Sequence, residues 1–121
     1  MKQTEEKVKG GRKRTHLVKV QTNQVLFMYN VTRNEYQVAE DCPWDVTVTQ
    51  VDDGIVVRLE REFDGEMRFN QVTITTGAQP TAKMTDSICG FHQDCVRNFG
   101  TMTTAGQTIV CSPNDLKVVT D

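Results

Sequence analysis

The chain has 121 residues, 37% hydrophobic and 25% charged, with a formal net charge of −2 and four cysteines. That length suits one domain rather than two cores, and the acidic balance argues against a general nucleic-acid binder, which is basic overall. No run approaches the roughly 18–20 apolar residues that span a bilayer, the basic head is not followed by the apolar segment of a signal peptide, and four cysteines are too few for a disulfide scaffold.

Residues 1–16 carry Lys2, Lys7, Lys9, Arg12, Lys13 and Arg14 against Glu5 and Glu6 and show no apolar periodicity. They read as a flexible basic tail, in the first place a solvated one and in the second a weak arm for phosphates, an anionic surface or a membrane face. From Leu17 the period is two, the repeat of a half-buried strand. Residues 17–21, 24–31 and 35–38 alternate around turns at Asn23 and Thr32-Arg33-Asn34, and residues 17–45 read as an N-terminal β-hairpin extension. Val46–Val51 and Ile55–Leu59 flank Asp52-Asp53-Gly54, where glycine is expected to supply the positive φ of a tight hairpin turn. Asp64-Gly65 makes the next turn, before Met67–Phe69 and Val72–Thr75. Residues 77–80 break the pattern, and a single helical turn is expected near Asp86–Arg97. Thr108–Cys111 and Leu116–Val119 are the last strands, joined by Pro113-Asn114-Asp115. Arg58–Phe63 is helix-prone in composition, but Asp64-Gly65 cuts it short. No long window has helical periodicity. The fold class is all-β, a compact antiparallel β-sandwich or barrel with at most one short helix.

The C-terminal third carries the most specific pattern: Cys89, Cys95-Val96, Gly100, Gly106-Gln107-Thr108-Ile109-Val110-Cys111, Pro113-Asn114 and Leu116. This run resembles the signature of the NusG domain II-like family, in which two close cysteines precede a valine and a glycine. A strand ending in cysteine and a Leu-Pro-Asn turn follow. The resemblance covers residues 46–121, with Val51–Arg58 as the opening hairpin and Asn70 to Gly77 as a later strand. It departs at Gly90, where the family has proline, at Ser112, where it has leucine, and in the five residues between Cys89 and Cys95. The resemblance implies a compact antiparallel β domain and a non-catalytic interaction or accessory module with a protein partner. It favours an extracytoplasmic or membrane-associated setting. Fold alone does not supply a function.

Cys89-x-x-His92-x-x-Cys95, with Cys111, is the one ligand cluster in the chain. Three thiolates and an imidazole suit tetrahedral zinc, the alternative to thiol pairing among Cys89, Cys95 and Cys111. Buried unpaired cysteines, packed as small hydrophobes, are the third reading. Folding the chain about Thr103 sets Cys95 opposite Cys111 as cross-strand neighbours, with Cys42 apart from them. There is no nucleotide-binding or nucleophile-elbow motif and no cofactor fingerprint, so no catalytic residue is assigned. Glu60, Glu62, Asp64 and Glu66 read as a solvated strand edge. Trp44, beside Pro43, is the candidate partner anchor if it does not plug one end of the sandwich.

Overall fold

The computed structural model describes residues 13–89, 94–97 and 99–121, with the side chain of Asp94 outside the description. Ten strands and one helical turn follow in chain order: β1 (Leu17–Gln21), β2 (Val25–Asn30), β3 (Glu35–Val38), β4 (Asp45–Val51), β5 (Gly54–Phe63), β6 (Glu66–Thr75), β7 (Thr81–Ile88), α1 (Asp94–Arg97), β8 (Thr101–Met102), β9 (Thr108–Cys111) and β10 (Leu116–Thr120). They make two antiparallel five-stranded sheets, ordered β3-β2-β1-β10-β9 and β4-β5-β6-β7-β8. Val18, Val20 and Phe27 of the first sheet share one hydrophobic cluster with Ile55, Val57 and Ile74 of the second. The fold is an all-β sandwich.

The alternation of β5 sets Ile55, Val57 and Leu59 inside and turns Val56, Arg58 and Glu60 outward. The RLEREF stretch is strand throughout, because β5 pairs with β6 over its whole length, from Gly54↔Thr75 to Phe63↔Glu66. Between those strands, Asp64 (φ 52) and Gly65 (φ 82) form the expected turn with two positive φ values, the geometry that matches strand twist. Gly54 differs from expectation. Its φ is not positive, and it is glycine because an added Cβ would strike the carbonyl oxygen of Ile74 on β6.

Residues 17–45 hold three strands rather than a hairpin. β1 sits at the centre of its sheet, paired with both β2 and β10. The ladder from Val18↔Thr120 to Gln21↔Lys117 joins this segment to the C-terminus, so it supplies three of the five strands of one sheet rather than a hairpin added at an edge. The expected tail lies outside the described residues except for its last four. Of those, Thr15 is buried and the backbone N–H of His16 donates to the carbonyl of Asp121 at 2.6 Å.

The largest difference from the sequence reading is β7, whose apolar positions are sparse. Its pairing with β6 skips a residue: Gln71 faces Asp86, while Val72 faces Met84. Thr85 is therefore the extra residue of a β-bulge, and a bulge reverses which side chains face inward. Ala82 and Met84 point into the core before it, and Ser87 and Cys89 after it. Ile88 is left 46% exposed.

Candidate functional site

Cys89 follows the end of β7, Cys95 lies on α1, and Cys111 ends β9. α1 packs against both β7 and β9, which brings the three sulfurs together. All three Sγ atoms lie within 4.8 Å of one another, and each cysteine is at most 2% exposed. The Cys89 and Cys95 sulfurs are 3.8 Å apart. The cluster also spans the sandwich, since β9 belongs to one sheet and β7 to the other.

The cysteines meet, but not as cross-strand neighbours. The chain from Cys95 to Cys111 is not one hairpin: β8 pairs with β7, through Ala82↔Met102, and β9 pairs with β10. Met102 is buried in the second sheet and Ile109 on β9 of the first, so the two arms serve different sheets. Cys95 itself is helical. All four cysteines are free thiols, with no Cys95–Cys111 disulfide, and Cys42 is not part of the cluster. His92, the fourth ligand of the zinc alternative, lies outside the described residues.

Two asparagines frame the sulfurs. Asn70 occupies an inward position of β6, in line with Val72 and Ile74, and is fully buried. Its Nδ2 lies 3.7 Å from Cys95 Sγ and 3.6 Å from Met84 Sδ. Its Oδ1 accepts a 2.7 Å hydrogen bond from Asn114 Nδ2. Asn114, in the β9–β10 turn, also reaches the backbone carbonyls of Ile88 at 3.1 Å and Phe69 at 3.5 Å. One turn of the first sheet is thus clamped to two strands of the second. Ser87 Oγ stands 3.4 Å from both Cys89 Sγ and Cys95 Sγ.

These contacts set the order of ionisation. The Cys95 thiol is pushed below its ordinary value, chiefly by the hydrogen bond from Cys111, against the opposing effect of burial, with further help from Ser87 and Cys89. Cys111 is pushed up, first because it donates that bond to Cys95 and then by burial. One thiolate shared among hydrogen-bonded thiols is the favoured charged state of the cluster.

The other sequence candidates lie elsewhere. Trp44 is 4% exposed and packs on Phe63, with ring centroids 5.6 Å apart and planes tilted by 60°. It is part of the core, and burial leaves little of its ring for a partner. In the acidic stretch, Glu62, Asp64 and Glu66 are exposed, and Glu66 pairs with Arg68 at 3.5 Å. Sequence reasoning missed Asn70 and Asn114 as framing residues. A polar residue in the inward register of an apolar strand was the available signal.

No protein-family model, curated protein or solved structure matches the chain. Among the described residues no helix is long and apolar enough to cross a membrane.

Proposed function

We propose that the chain is a non-enzymatic accessory module of the NusG domain II-like type, and that its working part is the thiol cluster. In this reading Cys89, Cys95 and Cys111 act as one unit that a thiophilic ligand bridges. Bridging ties α1 and β9 to the end of β7, and so locks one sheet to the other. The accessory character and the protein partner rest on the resemblance of residues 46–121. The thiol centre rests on one observation, three buried sulfurs drawn from three elements to within 4.8 Å.

Arsenite, whose trivalent arsenic exchanges its three hydroxyls for three thiolates and releases water, is the trivalent arsenical that tests this on the reduced protein. The reading expects one equivalent to bind per chain and the unfolding temperature to rise, because a ligand held only by the folded state stabilises it. An unchanged unfolding temperature with the reagent bound, or binding that persists at full strength in the Cys89→Ser/Cys111→Ser double variant, contradicts it.

A further inference from the structure

Resting on the thiol-centre reading, the inference concerns the natural occupant: we propose that Cys89, Cys95 and Cys111 coordinate a single thiophilic d10 cation, zinc(II) or copper(I), as three thiolates. Thiolate sulfur is the donor both ions favour. A metal–sulfur bond of about 2.3 Å requires sulfurs about 3.8 Å apart around a tetrahedral ion and about 4.0 Å apart around a trigonal one. Cys89 and Cys95 already stand at 3.8 Å, and no pair exceeds 4.8 Å. Side-chain rotations of less than about 1 Å therefore close the site on an ion of this size. Loading forms three metal–sulfur bonds and releases to solvent whatever thiol protons remain; no electrons move.

Simple core packing does not account for the arrangement. The bulge at Thr85 turns Cys89 and Ser87 inward and leaves Ile88, the better core residue, 46% exposed. At the next layer Asn70 takes an inward position that an apolar side chain would fill without needing partners. It directs its N–H groups at Cys95 and Met84 sulfurs. Hydrogen-bond donors aimed at ligand atoms are the usual outer support of a metal site, where they orient the ligands and offset thiolate charge. A set of thiols that merely filled space would need neither the bulge nor the asparagine.

The test uses the full chain, reduced and stripped of metal under anaerobic conditions, titrated separately with zinc(II) and with copper(I). Alkylation mapped by mass spectrometry reports which thiols each ion protects, and X-ray absorption reports the donors. The proposal expects one ion per chain with Cys89, Cys95 and Cys111 protected and Cys42 still reactive. Three sulfur neighbours alone identify copper(I), and three sulfurs with one lighter donor identify zinc(II). Failure of both ions to form a one-to-one complex, a coordination shell with two sulfurs, or an equal affinity in Cys111→Ser overturns it. If the arsenical still bridges the thiols while neither ion binds, the metal inference falls and the thiol centre stands. The protection map of the unsubstituted chain decides the matter even if Cys111→Ser does not fold.

Discussion

Asn70 Nδ2 lies 3.7 Å from Cys95 Sγ while Asn70 Oδ1 accepts a 2.7 Å hydrogen bond from Asn114 Nδ2. One amide thus connects the β9–β10 turn to the sulfur cluster. Replacing Asn70 with alanine removes both contacts in a fully buried setting. A loss of about 1–3 kcal/mol is expected from leaving buried partners unsatisfied, together with a rise in the pH at which Cys95 ionises. Chemical denaturation and pH-dependent alkylation of the metal-free protein check this. A stability loss with no shift in Cys95 reactivity would make the asparagine structural only.

The bulge on β7 makes a sharper prediction, because it controls side-chain parity. Deleting Thr85 removes the extra residue and restores a regular ladder in which Asp86 still faces Gln71 and Ser87 still faces Asn70, so Ser87 and Cys89 keep their inward positions. The deletion variant, compared with the unsubstituted chain under native alkylation, should keep Cys89 as protected as before. Exposure of Cys89 in this variant would show that Thr85 is not the extra residue of the bulge.

The Cys95–Cys111 pair predicts the pH dependence of stability under reducing, metal-free conditions. Cys95 ionises at lower pH when folded than when unfolded, so its contribution is present above the ordinary thiol range and is lost as pH falls through the folded value. Cys111 has the opposite sign. Its thiol holds its proton when folded, so its contribution is present below the ordinary thiol range and declines above it. Stability of the unsubstituted chain relative to Cys95→Ser should rise from mildly acid pH toward the ordinary thiol range. A flat difference across that window would show that the shared hydrogen bond does not bias ionisation.

Two glycines in neighbouring turns are expected to respond to substitution for different reasons. At Gly54 any side chain meets the Ile74 carbonyl, and Gly54→Ala should open the β5–β6 ladder at its end. At Gly65 there is space but φ is +82°. Gly65→Asn should therefore cost less than Gly65→Val, because asparagine tolerates the left-handed region and a β-branched residue does not. Equal unfolding midpoints for the two Gly65 variants would refute the backbone argument.

Strands with a clean two-residue repeat were legible in the sequence: β1, β5 and β9 stand where Leu17–Gln21, Ile55–Leu59 and Thr108–Cys111 alternate. β7 was not, because Thr81–Ile88 buries alanine, methionine and serine, and its bulge breaks the repeat in the middle. The membership of the thiol cluster was legible as three cysteines crowded into one third of the chain. Its geometry was not. Turn composition at residues 100–106 suggests a hairpin, but long-range pairing sends β8 to one sheet and β9 to the other. That competition between a local turn and distant partners is invisible to spacing alone. Asn70 shows the same limit: its register is readable, while its partner Asn114 is 44 residues away.

The central claim is that Cys89, Cys95 and Cys111 form one site and Cys42 does not belong to it. Residue-resolved alkylation of the reduced protein, with and without one equivalent of the trivalent arsenical, tests it most directly. The account predicts that the reagent slows modification of Cys89, Cys95 and Cys111 together and leaves Cys42 unchanged. Protection of Cys42, or of fewer than all three, would contradict it.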